Sequence, residues 1–251
     1  VAMEKLTLYR GISVEPEHSE EMESRIFTYG LTQGLYDEVR DNSLEWVDLR
    51  PRLQELLDKE DISVRYDTRP ESSERVDVVY ACADSLGASY YASEHNREEA
   101  RNLTHGLVIS FTAPLEDIQV DGKDFLYTTF QHYGGASKQN NQHLKKVREI
   151  VSQLFGEAVL PYLDRAGQLQ DPNSKAIALC DLATQDPRVI TAHAKNDLVI
   201  GGRYRTRFKS AFVVKAPVCA DRILEVTDAQ LHPSPIDING RELWELLRSS
   251  T

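Results

Sequence analysis

Residues 211–223, with the sequence AFVVKAPVCADRI, contain two strand-like segments separated by a proline turn. Residues 212–215 (FVVK) are apolar and β-branched, and residues 222–226 (RILEV) form a second segment of the same kind. Pro217 lies between them, and proline cannot donate to the hydrogen bonds of a paired strand. The stretch therefore predicts two short strands joined by a turn near the C-terminal end of the chain.

Earlier parts of the chain contain three more strand-like segments. Residues 5–10 (KLTLYR) alternate between two faces and are followed by Gly11, which predicts a short strand that ends at the glycine. Residues 76–82 (VDVVYAC) also read as a strand, and residues 107–113 (LVISFTA) read as a buried strand closed by Pro114.

Helical spacing of apolar residues appears between these strands. It predicts helices at 44–59, 94–103, 141–166 and 242–247. We expect Ser93 to cap the second of these helices and Pro161 to kink the third. Strands are predicted near the start, in the middle and near the end of the chain, with helices between them. This order predicts an α+β fold with a split, mostly antiparallel sheet and flanking helices. With no internal repeat and no linker, we expect one domain over residues 1–251, with a helical insertion around 141–167.

Composition restricts the class of protein. The chain has 251 residues and a formal net charge of −11, from 29 Lys and Arg against 40 Asp and Glu. No apolar run reaches the ~18–20 residues that cross a bilayer, and the start of the chain has no signal-peptide pattern. The three widely spaced cysteines do not suggest disulfides or a zinc site. We therefore expect a protein of the cytoplasm, its own or that of a target cell, without membrane partners.

Common cofactor and catalytic motifs are absent from the sequence. It contains no G-x-G-x-x-G loop, no phosphate-binding P-loop and no G-x-S-x-G elbow. His95 and His105 are ten residues apart, about 80° away from a whole number of helical turns, so they would not share a metal from one helix face. We expect no bound metal.

Three segments taken together resemble a known family. They are residues 8–12 (LYRGI), residues 88–93 (ASYYAS) and residues 211–223. In this order and spacing they resemble the NAD-dependent mono-ADP-ribosyltransferases, a family of toxins and effectors, and the turn 217–223 (PVCADRI) resembles the family's P-I-P-x-x-x-I turn. The resemblance covers about residues 6–226 and implies NAD as co-substrate and ADP-ribose transfer to a macromolecule.

The resemblance also implies roles for individual residues. Tyr9, Arg10 and Gly11 would bind NAD, with the Arg10 guanidinium on the pyrophosphate and Gly11 allowing close approach of the nicotinamide amide. Tyr91 or Tyr90 would stack on the nicotinamide ring. The candidates for the central hydroxyl are Ser89 and Ser93. The alternative readings are a surface arginine for Arg10, core packing for the tyrosines and a helix cap for Ser93.

The catalytic glutamate of the family has no counterpart at its expected position. Ala211 stands there, and alanine cannot stabilise positive charge on a ribose. Three explanations compete: an introduced Glu→Ala inactivation, a natural pseudoenzyme or binding module, or another acid such as Glu225 in that role. An NAD glycohydrolase or an RNA 2′-phosphotransferase on a similar fold is a further alternative.

A basic segment just before this position suggests how an acceptor would bind. Between Val199 and Val218 there is no acidic residue, and the segment carries Arg203, Tyr204, Arg205, Arg207 and Phe208. Cations interleaved with rings favour single-stranded nucleic acid such as RNA slightly over an acidic protein surface. The net charge of −11 argues against nonspecific coating of nucleic acid. An active toxin of this kind would also need an antitoxin or immunity protein.

Overall fold

A computed structural model describes residues 4–32, 55, 58, 78–93, 105–126, 129, 141–168, 179–201 and 207–230. In these ranges, helices alternate with antiparallel strands, so the protein is of the α+β class. The predicted helices at 44–59, 94–103 and 242–247 fall wholly or almost wholly outside the described residues. No helix in the described part of the chain is long and apolar enough to cross a membrane.

The first sheet has three strands. They are β1 (Lys5–Val14), β3 (His105–Pro114) and β8 (Ile223–Asp228), with β3 in the centre and antiparallel to both neighbours. β3 is buried along most of its length, as its apolar run predicts. β1 continues three residues beyond Gly11, so the prediction that the strand ends at the glycine is wrong.

The second sheet is formed by β2 (Val78–Ala81), β4 (Ile118–Val120) and β7 (Phe212–Lys215). β7 is the central strand and pairs antiparallel with both others. The turn after β7 ends in a short 3₁₀ segment, Ala220–Arg222, and delivers β8 to the first sheet. The two strands predicted from residues 211–223 are therefore confirmed, and they belong to different sheets.

The two sheets meet where β1 passes the end of β2. Tyr9 and Cys82 exchange two backbone hydrogen bonds, each 2.8 Å long, immediately after β2 ends at Ala81. The strands thus form one continuous surface in the order β8, β3, β1, β2, β7, β4. At this junction Cys82 lies between Tyr9 of β1 and the residues that precede β7, since Ala81 pairs with Phe212.

Helix α2 (Ser85–Ser93) packs closely on one face of β1. A Cβ on Gly11 would lie 1.8 Å from the carbonyl oxygen of Ala88 and 2.9 Å from the nitrogen of Ala92. The Ser13 hydroxyl also donates to the carbonyl of Ala92. Gly11 is therefore required for the contact between strand and helix, because any side chain would collide with the helix backbone.

The described residues contain five further helices with assigned bounds, and residues 179–184 are also helical. The five are α1 (Ser19–Tyr29), α3 (Gly122–Leu126), α4 (Asn141–Phe155), α5 (Leu160–Gln168) and α6 (Pro187–Ala194). The single helix predicted over 141–166 is two helices, and the prediction of a kink at Pro161 is wrong. The break lies at Gly156, whose φ of 78° is a conformation that favours glycine, and Pro161 is accommodated in the first turn of α5.

Candidate functional site

Arg10 lies in the middle of β1 and is almost completely buried. Its side chain is 5% exposed and projects from the same face as Leu8 and Ile12, which are core residues. Nη1 donates a hydrogen bond of 3.0 Å to the carbonyl oxygen of Tyr80 in β2. The guanidinium thus links the two sheets at their junction, and the readings of Arg10 as a strand-end or surface arginine are both wrong.

A second charged feature surrounds the thiol of Cys82, next to this junction. Burial raises the pKa of Cys82 well above its usual value, and the carboxylates of Asp84 and Asp124 raise it further. The positive charge of Arg10 acts on the same thiol in the opposite direction. The charges of Arg10, Asp84 and Asp124 therefore all affect the pKa of one buried thiol. Asp84 also caps α2, because its Oδ1 accepts the backbone N–H of Gly87.

The tyrosines and serines of residues 88–93 lie within α2 itself. Tyr90 and Tyr91 are half-buried, and their rings meet edge to face at 5.9 Å. Ser89 is buried. Ser93 is the last residue of α2, and its hydroxyl donates to the carbonyl of Ser89, so it does not act there as an N-cap. Arg10 projects from the face of β1 opposite to the one that α2 covers.

Ala211 is held by its backbone at the start of β7. Its N–H donates to Nε2 of His193 at 3.2 Å, and its carbonyl accepts the N–H of Asp121 at 2.8 Å. The preceding residue, Ser210, accepts the N–H of Ala83 on its hydroxyl at 2.9 Å. These contacts fix the position where the family resemblance expects a glutamate, between α6, the end of β4 and the residues after β2.

His193 is a buried, neutral histidine with a defined tautomer. Its Nε2 accepts from Ala211, so Nδ1 carries the proton and donates to the carbonyl of Leu154 at 2.9 Å. The ring stacks on Phe155 and meets Phe212 edge to face. Burial lowers the pKa of His193 from 6.5 to about 4, against the opposing effect of the bond to Leu154. The imidazole therefore stays uncharged at neutral pH.

A narrow depression lies beside Ala211. Ala211 and His193 line it together with two carboxylates, Asp121 at the end of β4 and Asp124 in α3. The rest of the lining is apolar and includes Val120, Phe125, Phe155 and Phe208. Its walls lie too close together to admit even a water molecule. Opening this depression would expose two acids and the start of β7 to a ligand.

The basic segment forms the connection of a short hairpin. β5 (Ile200–Gly201) pairs with β6 (Arg207–Phe208), while Arg203, Tyr204 and Arg205 lie outside the described residues. Phe208 is 1% exposed and belongs to the hydrophobic core. The prediction that its ring contacts an acceptor is therefore wrong, because the ring faces inward against the wall of the depression.

Glu225 lies away from Arg10. It is exposed on β8 and pairs with Ser110, which in turn pairs with Tyr9. Directly paired residues project to the same face of a sheet, so Glu225 lies on the face of Tyr9 and not on that of Arg10. The geometry therefore disfavours Glu225 as a substitute for the glutamate missing at Ala211.

Metal binding has no support in the resolved parts of the fold. Across the ranges described above, no three His, Cys, Asp or Glu side chains are grouped as metal ligands would be. His105, considered in the sequence as a ligand, instead contacts the carboxylate of Asp228 at 2.7 Å. His95 lies outside the described residues.

His193, Asp121 and Asp124 were not predicted from the sequence. His193 contacts Leu154, which is 39 positions before it, and Ala211, which is 18 positions after it. No local sequence pattern signals these contacts. The sequence Asp186-Pro187 does signal the start of α6, since Asp186 accepts the N–H of Arg188 and proline occupies the first turn. That signal would have placed His193 on a helix, but not against Ala211.

Comparisons with known proteins add no relative. No family model matches the chain, and neither the curated proteins nor the solved structures contain a significant match. The functional argument therefore depends on the residues and their geometry.

Proposed function

We propose that the chain is an NAD-dependent ADP-ribosyltransferase with an ADP-ribosyltransferase-like fold, which transfers ADP-ribose from NAD to a macromolecular acceptor. The observation that carries this proposal is the position of Arg10. Its guanidinium contacts Tyr80, which pairs with Val213 in β7, two residues from Ala211. The first and third of the segments that resemble the family are thus adjacent in space.

The charges at this junction suit a dinucleotide with a cationic ring. A guanidinium pairs well with pyrophosphate, and carboxylates favour the positive charge on the nicotinamide riboside. Arg10 supplies the guanidinium at the junction, and Asp124 is one of two carboxylates that line the depression beside Ala211. Tyr90 and Tyr91, which the resemblance assigns to the nicotinamide ring, lie on α2 at the opposite face of β1, as do Ser89 and Ser93, so the proposal places the dinucleotide on the Arg10 face without these contacts.

Nucleotide binding at this place requires a rearrangement. Arg10 is buried, and the depression beside Ala211 is closed. The short helix α3 forms one wall of the depression, and β7 and α6 form the others. Movement of α3 away from β7 would open the depression toward Asp124 and the junction. The proposal therefore includes an opening step on NAD binding.

For the acceptor, we propose contact with the basic connection between β5 and β6. With Phe208 in the core, Tyr204 is the remaining ring among the cations Arg203, Arg205 and Arg207. Single-stranded RNA remains the favoured acceptor, and an acidic protein surface is the alternative. Salt-sensitive RNA binding should be lost when Arg203, Arg205 and Arg207 are changed together to Gln, and unchanged binding would exclude this contact.

A second candidate is a binding module of the same fold without catalysis, and the observation that favours it is Ala211. This alanine is 8% exposed, and its small side chain fits the closed depression. Ala211→Glu separates the candidates. If the chain is an inactivated enzyme, the variant should release nicotinamide from NAD at least about 10-fold faster than the parent, and Ala211→Gln should not.

The products of that reaction distinguish a transferase from a glycohydrolase. ADP-ribose attached to RNA or protein indicates a transferase, and ADP-ribose free in solution indicates a glycohydrolase. An Ala211→Glu protein that folds and binds NAD but releases no nicotinamide, with RNA or protein acceptors present, would favour the binding module.

A further inference from the structure

Two side chains from the C-terminal end of α6 hold the backbone at the start of β7. His193 lies in the last turn of α6, and its Nε2 accepts the N–H of Ala211 at 3.2 Å. Asn196 follows the helix, and its amide group donates to the carbonyl of Lys209 at 2.6 Å. The same amide donates to the carbonyl of Leu198 at 2.8 Å, and its oxygen accepts the N–H of Leu198 at 3.0 Å. Lys209 and Ala211 are therefore both bound to one end of one helix.

These two contacts respond differently to protons. An amide side chain does not titrate between pH 7 and pH 5, so the bonds of Asn196 are the same at both. His193 accepts from Ala211 only while Nε2 has no hydrogen, and protonation makes this nitrogen a donor that faces another N–H. The bond from Nδ1 to Leu154 survives protonation, so the charged ring would stay attached to α4 while it loses β7.

The surroundings of His193 favour its neutral ring while the depression is closed. The neighbours from α4 and β7 that contact the imidazole do not titrate, and they are Leu154, Phe155, Ala211 and Phe212. Two carboxylates, Asp121 after β4 and Asp124 in α3, line the same depression. Burial lowers the pKa of His193 from 6.5 to about 4. A ring that reaches water has its ordinary pKa, so protons favour a state in which the ring has left Ala211.

Other charged groups on the elements around His193 are exposed or paired. The exposed ones are Lys195 after α6, Lys145 and Glu149 on α4, Lys215 on β7, and Glu116 and Glu157 on two 3₁₀ segments that pack against α6. The paired ones are Arg188 with Asp186, Arg148 with Asp164, and Asp117 with Arg222. Asp181 is buried in the helical residues 179–184 that precede α6.

We propose that the contact between His193 and Ala211 is an acid-sensitive switch. Protonation of His193 releases the N–H of Ala211 and lets the start of β7 separate from α6, while Asn196 keeps Lys209 in place. The separation opens the wall that α6 and β7 contribute to the depression. The proposed function requires this depression to open, so the switch would couple NAD binding to acid. The switch itself depends on the fold alone and is tested without NAD.

Hydrogen exchange of the Ala211 amide measures this opening directly. It is followed by NMR on the whole chain at pH 7, pH 6 and pH 5, and the intrinsic pH dependence of exchange is divided out. At pH 5 the open ring is mostly protonated and the closed ring is not, so the opening equilibrium at Ala211 should rise about 20-fold between pH 7 and pH 5. The Leu198 amide, which donates to Asn196, should not share this rise.

Two variants assign the effect to one histidine. His193→Gln offers an acceptor that does not titrate and leaves Asp181 unchanged, so its opening equilibrium should agree within about twofold at pH 7 and pH 5. His105→Gln is the matched control, because His105 contacts Asp228 of β8, and this variant should retain the full rise.

Three results would overturn the switch. They are an opening equilibrium at Ala211 that is equal at pH 7 and pH 5 in the parent, a rise that Leu198 shares equally, and a rise that persists in folded His193→Gln. None of these results bears on NAD binding, which calorimetry measures separately, so failure of the switch and failure of the proposed function are distinguishable.

Discussion

The backbone N–H of Ala211 donates to Nε2 of His193 at a distance of 3.2 Å. The other nitrogen of the same ring donates to Leu154, so one imidazole joins α4, α6 and the start of β7. The bond from Ala211 requires the neutral ring, because a protonated Nε2 would point a hydrogen at the N–H of Ala211, whereas the donation from Nδ1 to Leu154 persists in the protonated ring. Ala211, at the position where the resemblance expects a glutamate, is thus held by His193, and protonation of His193 would break this hydrogen bond.

The first prediction concerns pH and stability. Because the pKa of His193 is lowered from 6.5 to about 4, the unfolded chain binds a proton between these pH values that the folded chain does not. The contribution of His193 to the free energy of unfolding should therefore fall by about 3 kcal/mol as the pH decreases from about 6.5 to about 4. Burial raises the pKa of Asp181 to about 8, so Asp181 acts in the opposite direction over the same range, and the variant at position 193 is needed to separate the two. Chemical denaturation across this range measures the change.

One variant isolates this contribution. In His193→Gln the proton-linked loss is removed, so the stability difference from the parent should narrow by about 3 kcal/mol between pH 7 and pH 4. A curve for His193→Gln that runs parallel to that of the parent from pH 7 to pH 4 would contradict the structural account of His193.

The second prediction concerns the contact between β1 and α2. Gly11→Ala would place a methyl group 1.8 Å from the carbonyl oxygen of Ala88, a backbone atom that cannot move without displacing the helix. We expect a loss of about 3 kcal/mol in the free energy of unfolding. Gly87→Ala is the control, since its Cβ would meet only the Asp84 side chain, at 3.1 Å, and should change stability by less than about 1 kcal/mol. Equal effects of the two variants would refute the close packing.

The third prediction concerns the contact between α5 and α6. The hydroxyl of Tyr162 donates to Oδ2 of Asp186, which also caps α6 through the N–H of Arg188. Tyr162→Phe should cost about 1 kcal/mol, and Asp186→Ala about 2 kcal/mol, because the latter also removes the cap. Arg188→Ala should cost less than either of these, since its side chain is 73% exposed and its ion pair with Asp186 is screened by solvent. Thermal unfolding of the three variants should reproduce this order, and a larger loss for Arg188→Ala than for Asp186→Ala would contradict it.

The strands were the most predictable part of the fold. The segments 107–113 and 212–215 are continuous apolar runs, and both lie in central strands where such runs are buried on both faces. The break between α4 and α5 was misplaced because a glycine with positive φ ends a helix, whereas a proline in the first turn begins one. The local sequence was therefore sufficient to predict these two strands. For the helices it contains two candidate break points, Gly156 and Pro161, and the break was predicted at the wrong one.

The site was much less predictable than the strands. Arg10 was selected as a candidate from its place before Gly11, but its hydrogen bond to the carbonyl of Tyr80, 70 positions away, is revealed by no local pattern. Phe208 reads as an exposed ring among cations because the sequence does not show which face of a two-residue strand points inward. His193 matters through its hydrogen bonds with Ala211 and Leu154 on distant elements, so its role required the assembled fold.

The central claim is that NAD binds through Arg10. Titration calorimetry with NAD on the parent protein, on Arg10→Ala and on Arg10→Lys tests it most directly, with thermal unfolding to establish that each variant is folded. The account predicts binding in the micromolar-to-millimolar range by the parent, loss of binding in Arg10→Ala, and weakened binding in Arg10→Lys, because lysine lacks the planar fork of donors. No heat of binding from the folded parent up to several millimolar NAD, or equal affinity in folded Arg10→Ala, would contradict the account.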